Sequence, residues 1–170
     1  SMSEMETPAI PDAEAALAAL VERMRGAVAF DAVFVGIYSG GAWVAERLAA
    51  LIPGNHALGF IDVSYYRDDY ARTGLKGGAR RSELKFEVDG ATIVLVDDVL
   101  YTGRSVRAAI NELFDFGRPA KIELAVLIDR GGRELPIQAD YVGARLAVAR
   151  ELSIVLSREG ERLSLSVEPV

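Results

Sequence analysis

Apolar positions along the chain recur with two different periods. From Asp12 onward, Ala16, Leu17, Leu20, Val21 and Met24 fall three and four residues apart, which predicts an amphipathic helix capped by Asp12 and ended by Gly26. Ala32 to Ile37 is a continuous apolar run of strand length. It is broken by Tyr38-Ser39-Gly40-Gly41, after which a second helical stripe runs from Ala42 to Leu51. Pro53-Gly54-Asn55 is turn chemistry, and Ala57 to Val63 predicts another strand.

The pattern lapses between Arg67 and Arg81, which hold few large apolar residues and three glycines, Gly74, Gly77 and Gly78. It resumes as a strand at Thr92 to Val96, apolar and β-branched throughout as suits burial on both faces. A helix from about Gly103 to Phe116 follows, stopped by Gly117 and Pro119, and then a strand from Ile122 to Ile128. Shorter strands are expected at Tyr141-Val142, Ser153 to Leu156 and Leu163 to Val167. Strands alternating with long helices predict a doubly wound α/β fold with a mostly parallel central sheet. No repeat or linker divides it, so residues 1–170 read as one domain.

Composition narrows the function classes. At 51% hydrophobic and 26% charged residues, the chain is neither disordered nor a small disulfide scaffold. It has no Cys and a single His, His56, which removes thiolate and His-cluster metal sites and cysteine nucleophiles. His56 follows a Pro-Gly-Asn turn and reads as a loop-packing or solvated residue. No apolar run is long enough for a bilayer and no export signal opens the chain, so a cytoplasmic protein is expected. The formal charge is −6, yet between Tyr70 and Lys85 the bases Arg72, Lys76, Arg80, Arg81 and Lys85 face one acid, Glu83. That local reversal fits either a solvated hairpin or a mobile flap that meets an anionic ligand.

The sharpest chemical signal is Thr92-Ile93-Val94-Leu95-Val96-Asp97-Asp98-Val99-Leu100-Tyr101-Thr102-Gly103-Arg104-Ser105. A strand delivers two adjacent carboxylates to its carboxyl end, where open α/β sheets bind ligands. Thr102-Gly103-Arg104-Ser105 then opens a helix whose unpaired N–H groups and hydroxyls suit one phosphate dianion. The acids repel that phosphate and are better suited to accept hydrogen bonds from a sugar diol and to hold Mg²⁺ through water. A strand end with an ordinary Ser/Thr cap is the bland alternative. The segment is neither a Walker A loop nor a G-x-G-x-x-G turn.

Val94 to Ser105 resembles the phosphoribosyl pyrophosphate (PRPP) motif of type I phosphoribosyltransferases. Ser39-Gly40-Gly41-Ala42-Trp43, Tyr66-Arg67-Asp68-Asp69, Gly117-Arg118-Pro119, Asp129-Arg130-Gly131-Gly132-Arg133-Glu134-Leu135-Pro136 and Ala139-Asp140-Tyr141-Val142-Gly143 extend the similarity to the PyrR family. It covers about residues 12 to 167. PyrR proteins join uracil phosphoribosyltransferase activity to regulation of pyrimidine genes.

The resemblance implies a type I phosphoribosyltransferase fold with a small hood and a mobile flap from Tyr66 to Glu87. It implies that Asp97 and Asp98 contact the ribose hydroxyls, and that Val99, Leu100, Tyr101, Thr102, Gly103, Arg104 and Ser105 wrap the 5′-phosphate. Ser39, Gly40 and Gly41 become the diphosphate loop, where well-known members carry Lys-Thr-Arg-Gly, so an arginine is missing here. Tyr66 and Arg67 cover the reacting carbon, while Asp129, Arg130, Gly131, Gly132 and Arg133 face the base, with Arg133 within reach of diphosphate. Mg²⁺ is the implied cofactor, held mainly by PRPP and water near Asp97 and Asp98, with no protein ligand assigned directly.

The implied partners are PRPP, uracil, UMP, diphosphate and further copies of the chain, the last suggested also by an exposed-looking face of the second helix around Trp43. Three readings stand: a uracil phosphoribosyltransferase, a nucleotide-sensing RNA-binding regulator with little catalysis, and a transferase for another base such as orotate, hypoxanthine or xanthine. RNA is disfavoured because Asp12, Glu14 and Glu22 outnumber Arg23 and Arg25 in the first helix.

Overall fold

The computed structural model describes residues 9–64 and 82–170. Tyr66 and Arg67, together with the bases Arg72, Lys76, Arg80 and Arg81 of the expected flap, lie outside the described residues. Among the described residues the order is α1 (Ala13–Met24), β1 (Val33–Ile37), α2 (Gly40–Leu51), β2 (Leu58–Ile61), β3 (Thr92–Leu100), α3 (Arg104–Phe116), β4 (Lys121–Asp129), β5 (Tyr141–Arg145), β6 (Leu152–Glu159) and β7 (Arg162–Pro169).

Five strands form one sheet in the order β2-β1-β3-β4-β5, and every neighbouring pair is parallel. Strand alternation sends successive side chains to opposite faces. Phe34, Val94, Val96, Ala125 and Leu127 therefore meet α1 and α2, whereas Val35, Ile93, Leu95, Leu124 and Val126 meet α3. Both faces are apolar, as a parallel sheet between helices requires. α1 begins where the sequence predicts, with the Asp12 carboxylate accepting the Ala15 N–H at 2.9 Å.

Four features differ from the sequence expectation. α2 starts at Gly40 rather than Ala42, because both glycines are buried inside its first turn. β3 continues through the paired acids to Leu100 instead of stopping at Val96. β6 and β7 run longer than the expected Ser153 to Leu156 and Leu163 to Val167 and pair antiparallel as a separate hairpin, turning at Gly160 with φ +60°. The carboxyl side of the expected flap is built into the fold: Glu83 exchanges both backbone hydrogen bonds with Phe60, and Leu84 and Phe86 pack against the core on the α3 face.

The hairpin also changes the reading of Trp43. Arg158 of β6 stacks over its ring at 4.9 Å, and the side chain is half-buried beneath the chain's own C-terminal strands. His56 packs as expected of a loop residue, 4.6 Å from the Phe34 ring, with its two ring nitrogens 2.6 and 3.0 Å from the Ala32 and Pro53 carbonyl oxygens.

One polar cluster ties the hairpin to both helices of its face. Arg47 on α2 donates to the two carboxylate oxygens of Glu14 on α1 at 3.0 and 2.8 Å and to the Glu161 carbonyl at 2.7 Å. The Leu163 N–H donates to the same carboxylate at 2.9 Å. The Arg47 hydrogen bonds, aided by that amide, hold the Glu14 carboxyl below its ordinary value despite partial burial. Because the folded-state value is depressed, this contribution is present above about pH 4.5 and is lost as pH falls through the lower folded-state value. Glu14→Gln should cost roughly 1–3 kcal/mol at pH 7 and flatten the acid side of the stability profile. Urea unfolding of both proteins from pH 7 down to pH 3 measures this, and parallel profiles would contradict it.

Candidate active site

The sheet order creates the site. Chain progression runs one way from β1 to β2 and the other way from β1 through β3 to β5, so helices leave the two central strands on opposite faces. Open α/β sheets bind ligands in the crevice at such a reversal, beyond the strand carboxyl ends. Here β3 pairs with β1 only as far as Val96, while on its other side it pairs with β4 out to Leu100. Asp97 and Asp98 sit on that overhang, so one edge of their backbone is released from β1.

Each acid accepts the amide that follows it. The Asp98 N–H donates to the Asp97 carboxylate at 2.9 Å and the Val99 N–H to the Asp98 carboxylate at 2.8 Å. Asp97 is 7% exposed, and Asp98 is half-buried. Both carboxyl groups lie towards the start of α2, Asp98 against Gly40 and an Asp97 oxygen 3.3 Å from where a Cβ on Gly41 would stand.

The start of α2 is pressed against this overhang. A Cβ on Gly40 would collide with the Asp98 carboxylate, and one on Gly41 would stand 2.5 Å from the Val96 carbonyl oxygen. Only glycine allows this approach, which explains Gly40-Gly41 where helix propensity alone argues against them. Ser39 caps the helix without a side-chain hydrogen bond, and its carbonyl accepts the Ala42 N–H at 3.1 Å. The Gly40 and Gly41 N–H groups thus open the helix beyond reach of any intrahelical acceptor. The Tyr38-Ser39 peptide bond is cis.

On the far side of the acids, Leu100 closes β3 and Tyr101-Thr102-Gly103 turn into α3. Gly103 has φ +95°, a left-handed conformation that favours glycine, and the Thr102 hydroxyl accepts the Arg104 N–H at 3.2 Å. Ser105 and Arg104 are exposed at the helix start. The turn is braced by the segment after β4, whose Glu134 and Leu135 N–H groups donate to the Thr102 carbonyl at 2.9 and 3.1 Å. Ile137 packs below Gly103, 3.0 Å from where a Cβ would stand.

The loop Asp129 to Arg133 lies against the same turn, but its side chains are engaged internally. Asp129, 5% exposed, receives both oxygens' worth of hydrogen bonds from Arg133 at 2.8 and 2.9 Å, one from Arg145 at 3.1 Å and the Gly131 N–H at 2.9 Å. Burial opposes ionisation of this carboxyl. The Gly131 amide, the Arg133 hydrogen bonds and the charges of Arg133 and Arg145 outweigh it and hold the group below its ordinary value. Arg133 also donates to the Tyr101 carbonyl at 2.6 Å. Its guanidinium is a brace between the loop and the turn, where the sequence reading gave it reach towards diphosphate. Arg130 points inward, 8% exposed, with its guanidinium 3.9 Å over the Tyr101 ring. Gly131 and Gly132 take φ of +73° and +70°, leaving their backbone as the adaptable surface of the loop.

Ser39, Gly40, Gly41, Asp97, Asp98, Val99 to Ser105 and Asp129 to Gly132 are therefore brought to one end of the sheet. Sequence reasoning passed over Asp62, 5% exposed just beyond the carboxyl end of β2, where its carboxylate accepts the Ser64 N–H at 2.8 Å. An acid at the end of an apolar run was the available signal. A separate opening of about 460 Å³ is lined by Asp129, Arg133, Leu135, Ile137 and Arg145.

Comparison with known proteins agrees with this architecture. The family model for the phosphoribosyl transferase domain matches residues 8–151. The chain is 55% identical over 157 residues to the bifunctional protein PyrR of Ralstonia nicotianae, covering 90% of each. It is 52% identical over 123 residues to the bifunctional protein PyrR of Pseudomonas aeruginosa, covering 72% of each. Among solved structures it superposes on a hypoxanthine phosphoribosyltransferase from Staphylococcus aureus with TM-score 0.63 at 20% identity, over 89% of this chain and 82% of that one. A purine phosphoribosyltransferase from Pyrococcus horikoshii gives TM-score 0.59 at 26% identity, over 79% and 82%. The parallel sheet with its flanking helices is thus the type I phosphoribosyltransferase fold, and the chain belongs to the PyrR family within that superfamily.

Proposed function

We propose that this protein transfers the phosphoribosyl group of PRPP to uracil, forming UMP and diphosphate. The observation that carries the reading is the convergence of two adjacent carboxylates, a glycine-opened helix start and a second phosphate-sized turn on one crevice. In this reading the turn Val99 to Ser105 holds the 5′-phosphate through its N–H groups and the Thr102 and Ser105 hydroxyls. Asp97 and Asp98 accept hydrogen bonds from the ribose hydroxyls between the two anionic ends. The Ser39, Gly40 and Gly41 N–H groups receive diphosphate as the bond from C1 to its oxygen breaks and the bond from C1 to uracil N1 forms, the N1 proton being released to solvent.

Positive charge develops on the ribose as that bond breaks, and the two carboxylates are fixed by their amide hydrogen bonds before the reaction begins. Such preorganised charge is worth most in a site shielded from water. Uracil presents two carbonyls and an N3–H, a pattern that the backbone of Arg130 to Arg133 can match while the arginine side chains stay in their internal contacts. Tyr66 and Arg67 are proposed to cover the reacting carbon. The base choice rests on what the resemblance to the PyrR family implies, since the purine enzymes share only the fold.

Among the described residues no group of three or more His, Cys, Asp or Glu could hold a metal ion. Two neighbouring carboxylates instead suit a hydrated Mg²⁺ that arrives on diphosphate, for Mg²⁺ is commonly held by one or two carboxylates plus substrate phosphates. When bound, it neutralises charge on the leaving diphosphate. Among the described residues no helix is long and apolar enough to cross a membrane. We place the protein in the cytoplasm, where its substrates are made.

Asp97→Asn and Asp98→Asn should each lower the rate of UMP formation from uracil, PRPP and Mg²⁺ about a hundredfold, with folding retained. Either variant keeping more than half the wild-type rate would remove that residue's role.

A homo-oligomer is proposed as well, although the Trp43 face offers no reason for it now that the hairpin covers that side. Light scattering at micromolar concentration should give a mass above the 18.3 kDa of one chain, and a single species at that mass would refute it.

The relatives are described as bifunctional, and the resemblance to the PyrR family implies a second reading, regulation through RNA. The acid-rich α1, with Glu14 committed to Arg47, argues for weak RNA affinity. Filter binding to the leader RNA of a pyrimidine operon, with and without UMP, should show no submicromolar complex. Tight binding strengthened by UMP would make regulation the principal function.

A further inference from the structure

Arg130 is a cation in an unusual setting. It is 8% exposed, yet among the described residues no carboxylate pairs with it. Asp129, next to it in sequence, is already taken by Arg133 and Arg145. The Arg130 guanidinium donates instead to two carbonyl oxygens, those of Leu152 at 2.8 Å and Ala149 at 3.2 Å, where the chain enters the C-terminal hairpin. Its Nε is buried with no hydrogen-bond partner. Burying a cation without a counter-anion is costly, so a fold that keeps one there has a use for it or loses stability to no purpose.

The rest of its environment names the use. The guanidinium carbon lies 3.9 Å from the centre of the Tyr101 ring, and a Cβ on Gly132 would collide with the same ring. The Arg130 guanidinium and the Gly132 backbone thus both crowd the ring, the second an approach open only to glycine at 132. The main chain of Arg130 acts on the same place, its N–H donating to the Leu100 carbonyl at 3.0 Å. Tyr101 is the residue at which β3 turns towards the helix start at Gly103 and Arg104.

We propose that Arg130 is a positioning residue for the phosphate turn. Through the Tyr101 ring it fixes the direction of the Thr102 to Ser105 N–H groups. This assigns Arg130 to the phosphate end of the ligand instead of the base. It rests on the reading of that turn as the 5′-phosphate site.

The test compares UMP with uridine, which differ by the 5′-phosphate alone, in calorimetric titrations of the purified full-length protein. Wild type should bind UMP much more tightly than uridine. Arg130→Met should weaken UMP roughly tenfold, the scale of a desolvated cation–π contact, and leave uridine within about twofold. Arg130→Lys, which keeps the charge but loses the planar stack, should fall between. Tyr101→Leu should reproduce the Arg130→Met loss while Tyr101→Phe retains wild-type affinity, and the Arg130→Met/Tyr101→Leu double variant should bind UMP no more weakly than either alone.

A protein that merely loses packing would weaken both ligands together, so an unchanged UMP-to-uridine ratio in Arg130→Met overturns the inference while the phosphate site itself stands. If Arg130→Met does not fold, additive losses in Arg130→Lys and Tyr101→Leu overturn it equally. Wild type that does not distinguish UMP from uridine overturns the phosphate-site reading, and this inference with it.

Discussion

β3 outruns β1. The two strands pair only to Val96, and the remaining stretch to Leu100 is supported by β4 alone. The chain can occupy the space β1 leaves only with something narrow, and Gly40-Gly41 at the start of α2 is narrow enough to touch the Asp98 carboxylate and the Val96 carbonyl. Gly36, inside β1, extends the same constraint, since a Cβ there would stand 2.7 Å from the Ala42 Cα. The distance between helix start and acids is thus set by backbone packing, and the geometry of the crevice follows from which residues lack side chains.

A second constraint holds the other wall. The turn after β3 has few internal hydrogen bonds of its own and takes its shape from the segment after β4: Glu134 and Leu135 hold the Thr102 carbonyl, Arg133 the Tyr101 carbonyl and Arg130 the Tyr101 ring. Asp129 anchors this assembly by binding Arg133 and Arg145 at once. Loops that bind ligands are commonly mobile unless a rigid element positions them. Here the rigid elements are two adjacent parallel strands, each ending in the loop that braces its neighbour's.

How much of this was legible in the sequence depended on the range of the forces involved. The Asp12 cap, the helical stripe of α1 and the start of α3 next to Gly103 are local, and each is read correctly from neighbouring residues. The β3 end is not local: Asp97 and Asp98 look like loop residues by composition, but each satisfies the next amide and the strand continues because β4 remains alongside. The same holds for Gly40-Gly41, which propensity assigns to a loop and close packing assigns to a helix. The β6–β7 hairpin had its turn signal in Gly160, yet nothing in its alternation says that it pairs with itself and not with the sheet edge.

The arginines show the limit most clearly. Counting charge in Asp129-Arg130-Gly131-Gly132-Arg133 gives a basic loop suited to an anion, and resemblance adds a base site. The side chains divide that total by direction: Arg133 turns to Asp129 and a carbonyl, Arg130 to an aromatic ring and two carbonyls, and only the glycine backbone between them is left to face a ligand. Both guanidinium groups are thus committed within the fold, and the charge this segment shows to solvent is smaller than its composition says; what the two arginines set is the shape of the turn they grip, Arg133 by the Tyr101 carbonyl and Arg130 by its ring.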